Sequence, residues 1–362
     1  MRRALRLARN GLGKTAPNPV VGAVLTKNGR LIGKGYHKNF GGPHAEVFAL
    51  NEAGREAEGA VLYVTLEPCT HYGKTPPCVD RIISHGLKRV VIAAKDPNPL
   101  VDGKGIEKLR SAGIEVAVGV EGARARRLNE AFFKYIKTGL PFVTLKLAQT
   151  LDGKIAAPNG DSRWISGEAS RKLVHRWRAQ ADAVLAGIGT VLQDDPELTV
   201  RLVRGRNPKR IVLDPDLQIP VSAKLVSDSG AENTIIFTAS RNRQKIEALE
   251  KRNVKLEHCE KEPSGFFDLK KIAKRLPGLN ILSVLVEGGS GVFSSFLRQG
   301  FWDRLYVFQA PLILGSGIGP FDGIKKEKLN EAFRLERVSL KRVGQDVLFK
   351  FEPLRADRTL DF

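Results

Sequence analysis

The chain has 362 residues, too many for a typical single domain, so we expect two domains that each bury a core. Its 59 basic and 39 acidic side chains give a formal charge of +20, which favours a polyanion such as nucleic acid or a phosphorylated metabolite. Only three cysteines and no run of about eighteen apolar residues occur, which argues against a disulfide framework and a membrane-spanning helix.

The first half of the chain is predicted to alternate between strands and helices, beginning with an amphipathic helix over residues 1–9. Strands are expected over residues 20–27, 31–35, 60–66, 89–94 and 115–118, and helices over residues 45–53, 79–85, 104–112 and 123–137. Asn28-Gly29 is typical of a tight hairpin turn. This alternation predicts an α/β layer sandwich.

A stop signal for the last of these helices stands at residues 138–141, Thr-Gly-Leu-Pro. Further strands are expected over residues 142–148, 183–186, 209–213, 234–237, 281–286 and 304–310, and charged helices over residues 242–252 and 268–276. We therefore predict a first domain at residues 1–141 and a second α/β domain at residues 142–362.

The N-terminus and the cysteines indicate the compartment. Arginines interrupt the apolar residues of the first helix, whereas a secretory signal needs a continuous apolar core. Two cysteines belong to the motif described next, which leaves Cys259 as an inert thiol in a reducing compartment. We expect a cytoplasmic protein.

Three potential metal ligands surround one carboxylate in the first half. His44 and Glu46 stand at the start of a predicted helix, Cys69 follows a predicted strand, and Cys78 lies beyond a loop. One imidazole and two thiolates leave a fourth position on Zn²⁺ open for water, as in catalytic sites. Glu46 can move protons from that water to a leaving amine without ligating the metal. The H-x-E and P-C pattern is typical of zinc deaminases.

The cysteine spacing departs from that pattern, because eight residues rather than two separate Cys69 from Cys78. The cysteines could instead be small buried hydrophobic residues, and a histidine near a helix start is often structural. A structural zinc with His71 as fourth ligand is another alternative. The motifs taken together favour the catalytic site.

Two glycine-rich segments follow predicted strands in the second half. Residues 285–291 lead into a predicted helix over residues 292–299, and residues 186–190 follow another strand. Glycines there let backbone N–H groups approach a phosphate at a helix N-terminus, although such turns are also common without a ligand. The two segments predict a nucleotide crevice that lacks the G-x-G-x-x-G pattern.

Two other places could contact a ligand. Residues 96–99, Asp-Pro-Asn-Pro, follow a predicted strand and could form a ligand wall or a simple turn. Lys146 lies on a predicted strand among apolar neighbours, where a lysine is unusual and indicates a role in the site.

These motifs resemble the bifunctional deaminase-reductase family of riboflavin biosynthesis. The resemblance is carried by residues 17–19 (Pro-Asn-Pro), 44–46 (His-Ala-Glu) and 65–78 (TLEPCTHYGKTPPC), and it covers essentially the whole chain. It implies an N-terminal cytidine-deaminase-like α/β/α layer sandwich and a C-terminal dihydrofolate-reductase-like α/β domain. The first would deaminate a phosphoribosylamino-diaminopyrimidinone by hydrolysis, and the second would use NADPH to reduce its ribosyl group to ribityl.

The resemblance also implies roles for individual residues in the first domain. His44, Cys69 and Cys78 would hold one catalytic Zn²⁺, and Glu46 would be the general acid and base. The substrate would be contacted by Asn18, His37, His71 and Lys74.

In the second domain, the resemblance implies a substrate side and a cofactor side. Lys146 would be catalytic and could polarise the imine or a neighbouring oxygen, and the other substrate contacts would be Ser162, Arg178, Leu198, Arg201 and Glu287. NADPH would be held by Ala148, Trp164, Thr190, Asp194, Gly289, Ser290, Gly291, Val292, Phe293, Ser294 and Ser295. The two arginines could clamp a phosphate or be solvated surface groups, and Trp164 could be an ordinary core aromatic.

The expected partners are a small phosphorylated pyrimidine and further copies of the chain in a homo-oligomer, without nucleic acid or a membrane. A nucleic-acid deaminase would share the zinc signature and the basic charge, but the eight-residue loop and the second domain oppose that reading. A non-enzymatic zinc module on a basic surface would need a fourth protein ligand.

Overall fold

A computed structural model describes residues 1–72 and 76–354 of the chain. The chain separates into two compact units, the first over residues 1–140 and the second beginning at Pro141. Within the described residues, no helix is long and apolar enough to cross a membrane.

The described part of the first unit contains a five-stranded sheet in the order β2-β1-β3-β4-β5. Its strands are β1 (Gly22–Lys27), β2 (Arg30–Tyr36), β3 (Val61–Val64), β4 (Arg89–Ile92) and β5 (Glu115–Val118). β1 runs antiparallel to β2 and β3, while β3, β4 and β5 run parallel. Asn28 and Gly29 have φ of 51° and 75°, as a two-residue hairpin turn requires, which confirms the predicted turn.

The helices of the first unit cover both faces of this sheet. They are α1 (Arg2–Ala8), α2 (Ala45–Ala53), α3 (Cys78–Ser84), α4 (Lys104–Ser111), α5 (Gly122–Leu128) and α6 (Glu130–Thr138). α2 lies very close to β2, since a Cβ at Gly35 would be 2.2 Å from the Ala45 carbonyl oxygen. Glycine on the strand therefore allows the start of α2 to lie directly against the sheet.

The prediction of one helix over residues 123–137 is wrong, because Asn129 separates α5 from α6. Its side chain accepts a hydrogen bond from Val20 N at 2.8 Å and donates one to Val20 O at 2.9 Å. The side chain thereby pairs with a backbone segment 109 residues away. A tertiary contact of this kind overrides helix propensity.

The described part of the second unit contains a nine-stranded sheet in the order β10-β9-β8-β7-β11-β6-β12-β14-β13. Its strands are β6 (Phe142–Gln149), β7 (Ala183–Gly187), β8 (Lys209–Leu213), β9 (Thr234–Thr238), β10 (Lys255–His258), β11 (Ser283–Val286), β12 (Arg304–Gln309), β13 (Leu335–Val343) and β14 (Asp346–Pro353). The strands from β10 to β12 pair in parallel, whereas β14 pairs antiparallel with β12 and β13.

Helices and two large buried clusters lie about this sheet. The helices are α7 (Glu168–Gln180), α8 (Ile188–Asp194), α9 (Lys224–Ser227), α10 (Arg243–Glu250), α11 (Leu269–Arg275) and α12 (Ser290–Arg298). One cluster centres on Phe237, Phe293 and Leu145, and the other on Ile236, Leu217 and Leu225. β7 leads directly into α8, and β11 leads through a short glycine turn into α12. Both helices therefore begin at the carboxyl edge of neighbouring strands, where α/β sheets bind ligands.

Candidate active sites

The three predicted metal ligands converge in the first unit. His44 directly precedes α2, Cys78 is the first residue of α3, and Cys69 follows β3. One donor atom from each lies within 4.8 Å of the others, with His44 Nδ1 3.2 Å from Cys78 Sγ and 3.5 Å from Cys69 Sγ. Zinc bonds to nitrogen and sulfur of about 2.0–2.3 Å are compatible with donors at these separations. The donor set therefore fits one Zn²⁺.

The protonation of the two thiols supports the same conclusion. A hydrogen bond from Cys78 lowers the pKa of Cys69 to about 4, and the same contact raises the pKa of Cys78 well above its usual range. The contact with Cys69 also raises the pKa of His44. One thiolate is therefore already favoured, and metal binding would release the remaining thiol proton.

Glu46 lies in the first turn of α2, only 3% exposed. Its Oε2 is buried and makes no hydrogen bond to the described part of the chain. Burial raises the pKa of Glu46. A buried polar atom without a partner is rare and indicates a ligand or water at that position. The raised pKa of this carboxyl group suits it to take up and release a proton.

His37 and Asn18 are also brought together beside the metal ligands. His37 Nδ1 lies 3.1 Å from Pro43 O and must donate to it, so Nε2 accepts from Asn18 Nδ2 at 3.3 Å. Burial lowers the pKa of His37, which keeps the ring neutral. The ring stands edge-on to His44 with centroids 5.4 Å apart. The network fixes which way the Asn18 amide points.

The loop between the two cysteines contains the remaining predicted contacts. His71 is exposed and is not part of the ligand cluster found among the described residues, so the alternative of His71 as a fourth ligand is not supported. Lys74 lies outside the described residues. Tyr72 is 80% exposed, so this part of the loop faces solvent.

Glu67 is a structural residue of this site that sequence reasoning missed. It is 4% exposed and accepts hydrogen bonds from four backbone N–H groups of the segment 96–106. Those of Gly105 and Ile106 belong to the first turn of α4, so Glu67 caps that helix from a distant segment. An acidic residue two positions before Cys69, after a buried strand, was the available signal. Asp96 accepts from Asn98 N at 2.8 Å, as in a simple turn.

The second unit contains a cavity of about 1360 Å³ at the carboxyl edge of β6, β7 and β11. Both glycine-rich segments line it, as predicted. They pack closely, because a Cβ at Gly187 would be 2.5 Å from Val292 Cγ2 and one at Gly288 would be 2.8 Å from Val292 Cβ. A crevice of this size beside the starts of two helices fits a dinucleotide such as NADPH.

The cavity collects most of the predicted reductase residues. Those that line it are Lys146, Ala148, Ser162, Trp164, Arg178, Thr190, Asp194, Leu198, Arg201, Glu287, Gly289, Ser290, Gly291, Val292, Phe293 and Ser295. Ser294 is fully buried and is not one of the described residues that line the cavity, and its contact with the cofactor stays a prediction. The helical turn of α12 directs consecutive side chains to different faces, a periodicity that a continuous range from 289 to 295 ignores.

A buried charge network forms the floor of the substrate side. Arg178 donates to Glu287 through Nε at 2.6 Å and Nη2 at 3.1 Å, and its Nη1 donates to Thr199 O at 2.9 Å. Lys146 Nζ lies 3.6 Å from Glu287. Burial raises the pKa of Glu287, but Arg178 and Lys146 outweigh that effect and hold the pKa at about 2. The fork of Arg178 is therefore paired with a carboxylate, and its contact with the substrate phosphate stays a prediction.

Arg201 and Trp164 are exposed residues of the cavity lining. Arg201 Nη1 lies 2.5 Å from Glu197 Oε1 in an ion pair that is half exposed, so its guanidinium can reach a ligand. Trp164 is 67% exposed, with the Arg171 guanidinium 4.7 Å from its ring centroid. The alternative of Trp164 as a core aromatic is wrong, since a core ring would be buried.

Comparisons with known proteins assign both units. Residues 1–94 match the cytidine and deoxycytidylate deaminase zinc-binding region, and residues 141–349 match the RibD C-terminal domain. The riboflavin biosynthesis protein RibD of Aquifex aeolicus (strain VF5) is 49% identical over 354 residues, which covers 97% of each chain.

Two solved structures have a similar fold over nearly the whole chain. Acinetobacter baumannii RibD (form 1) is similar with a TM-score of 0.88 and 39% identity, covering 98% of each chain. A deaminase and reductase from Thermotoga maritima is similar with a TM-score of 0.86 and 41% identity, covering 98% of this chain and 97% of that one.

These matches confirm the predicted fold class, a cytidine-deaminase-like unit followed by a reductase unit, and the resemblance on which it rested. They also confirm the two cofactors, zinc in the deaminase domain and NADPH in the reductase domain of the family. The chain therefore belongs to the RibD family, the bifunctional deaminase-reductases of riboflavin biosynthesis.

Proposed function

We propose that this chain acts on the substrates named for the similar Thermotoga maritima protein. That protein is a diaminohydroxyphosphoribosylaminopyrimidine deaminase and 5-amino-6-(5-phosphoribosylamino)uracil reductase. The observation that carries the deaminase assignment is the convergence of His44, Cys69 and Cys78 beside Glu46, whose Oε2 is buried without a described partner. The cavity of the second unit supports the reductase assignment.

In the deaminase site, zinc would supply an activated water, and the chain would bind the metal and move the protons. His44, Cys69 and Cys78 hold the ion. Glu46 takes a proton at Oε2 and delivers it to the departing amine, for which its raised pKa is suitable. Asn18, oriented by His37, donates through its amide to the pyrimidine ring.

In the reductase site, NADPH would supply the hydride, and the chain would place the substrate beside it. The glycine-rich segments bind the cofactor phosphates through backbone N–H groups. Burial lowers the pKa of Lys146, which brings its ammonium closer to exchanging a proton with the opened ribose. Arg201 binds the substrate phosphate, while Arg178 holds Glu287 in position.

We assign the deaminase to residues 1–141 and the reductase to residues 142–362, which agrees with the two compact units. We also propose a cytoplasmic homo-oligomer. β13 supports the assembly, since it is the outermost strand of its sheet and presents Leu340 with 53% exposure. An exposed edge strand can pair with another chain.

The test measures ammonia release from the diaminopyrimidine substrate and NADPH oxidation with the phosphoribosylamino-uracil by the same purified chain. A zinc chelator should abolish the first activity and spare the second, because the three metal ligands found among the described residues lie in the first unit. Zinc should restore ammonia release. If the chelated chain released ammonia at the original rate, the metal assignment would be wrong. If NADPH were not consumed, the reductase assignment would be wrong.

A further inference from the structure

An irregular segment of the second unit, residues 195–202, carries two of the proposed substrate contacts, Leu198 and Arg201. Its backbone departs from ordinary conformations, since Asp195 has φ of 40° and Leu198 has φ of 52°. The left-handed region is unfavourable for a bulky residue such as leucine. Leu198 is nevertheless 3% exposed and packs in the buried cluster with Leu217 and Leu225. The surrounding structure must therefore hold the segment in place.

Four side chains make hydrogen bonds to the backbone of this segment, which belongs to no helix or strand over residues 197–201. Arg210 Nη1 donates to Glu197 O at 3.3 Å, and Arg178 Nη1 donates to Thr199 O at 2.9 Å. Asn207 Oδ1 accepts from Val200 N at 2.8 Å. His175 Nδ1 accepts from Arg201 N at 2.9 Å. Only the bond accepted by His175, among these four, is donated by Arg201 itself.

His175 is well placed for this contact. It lies on α7, is 6% exposed and lines the cavity. To accept from a backbone N–H, Nδ1 must be unprotonated, so the neutral ring carries its proton on Nε2. The charges of Arg178, Arg201 and Lys146 act on the ring together with that of Glu287. Burial, followed by the charge of Arg178, lowers the pKa of His175 to about 4, which preserves the acceptor.

We propose that His175 is a positioning residue of the reductase site, which fixes Arg201 for the substrate phosphate by accepting its backbone N–H. This inference rests on the proposed function of Arg201. Neither the motifs in the sequence nor the family resemblance pointed to His175. Without this acceptor, the backbone N–H of Arg201 would be buried without a hydrogen-bond partner. The segment would then move until water could accept from that group.

The test compares steady-state reduction by the full-length chain and three variants at this position. His175→Ala removes the acceptor and the ring, His175→Phe keeps the ring volume without an acceptor, and His175→Asn keeps an acceptor near Nδ1. We expect the Ala and Phe variants to raise the KM for the phosphoribosylamino-uracil about tenfold, the effect of an unpaired buried N–H group. The Asn variant should have a KM close to that of the parent, because it keeps the acceptor. The KM for NADPH and the rate of deamination should not change.

His258→Ala is a matched control, because His258 is exposed on β10 and does not line the cavity. It should behave as the parent. The Phe variant carries the test if the Ala variant fails to fold. A Phe variant equal to the parent would overturn the inference, since the ring rather than the hydrogen bond would then matter.

A double-mutant cycle with Arg201→Ala separates this inference from the function on which it rests. If His175 acts through Arg201, the fold increase in KM of the double variant should be smaller than the product of the fold increases of the two single variants. Multiplicative losses would contradict the coupling. An effect of Arg201→Ala without any effect of His175→Ala would overturn the role of His175 alone. No effect of Arg201→Ala would overturn the proposed substrate contact.

Discussion

Arg178 and Glu287 form a two-point ion pair, with Nε 2.6 Å from Oε1 and Nη2 3.1 Å from Oε2. Their side chains are only 12% and 8% exposed. Two parallel N–H···O bonds fix the orientation of both groups as well as their charge. Lys146 lies 3.6 Å from the same carboxylate, so one anion pairs with two basic side chains in the cavity lining.

Replacing Glu287 with Ala should destabilise the second unit by about 3–5 kcal/mol, because breaking a buried pair leaves charge uncompensated. Denaturation followed by tryptophan fluorescence measures this unit alone, since Trp164, Trp177 and Trp302 all belong to it. Glu262→Ala is the control. Its ion pair with Lys271 is 40% and 63% exposed, so the loss of stability should be far smaller than that of Glu287→Ala. Equal losses for the two variants would contradict the prediction.

Replacing Glu46 with Gln should leave zinc bound and abolish deamination, because the carboxyl group moves protons and does not ligate the metal. Metal content by atomic emission and ammonia release on the same sample would measure the two properties. Reduction by the second unit serves as an internal control. A variant that lost zinc, or that released ammonia at the parent rate, would show that Glu46 has a different role.

Replacing Arg201 with Ala should raise the KM of the reduction about tenfold to a hundredfold, since a charge-assisted hydrogen bond contributes roughly 1.5–3 kcal/mol. Arg201→Lys should recover only part, because an ammonium lacks the planar fork. Arg243→Ala, at an exposed position on α10, is the control for loss of one positive charge. If Arg243→Ala matched Arg201→Ala, only the overall charge would matter.

The stability of the second unit should fall as pH decreases from about 6.5 to about 4, through protonation of His175. Its pKa is near 4 in the folded chain and about 6.5 in the unfolded chain, so the unfolded state binds more protons in this interval. The measurement is the Tm by tryptophan fluorescence, compared between the parent and His175→Asn. The Tm of the His175→Asn variant should depend less steeply on pH than the Tm of the parent. Identical slopes would mean that His175 does not titrate in this way.

The limits of several helices and strands could be predicted from the pattern of apolar and polar residues along the chain. The helix Ala45–Ala53 and the strands Glu115–Val118 and Lys209–Leu213 have the expected limits. The β13–β14 hairpin was not predicted. β13 is exposed along most of its length, so it lacks the regular burial that makes a strand recognisable.

The metal site could be predicted because each ligand stands beside a recognisable strand or helix end. The floor of the reductase cavity could not, since Arg178 and Glu287 are 109 residues apart and meet only through the order of the strands. The same applies to His175, whose partner is a backbone N–H group in an irregular segment. Backbone partners leave no residue type in the sequence to search for.

The cap that Glu67 provides for α4 has a consequence for local opening in the first unit. The eight-residue helix obtains its first-turn partner from a side chain 38 residues earlier in the chain, and an isolated helix of this length would be unstable. Helix and cap must therefore open together with the segment that contains Cys69. The amide protons of Gly105 and Ile106 should exchange with solvent at the rate at which that segment opens. Hydrogen exchange at these two residues would therefore report how often the segment with Cys69 opens, without any measurement on the metal.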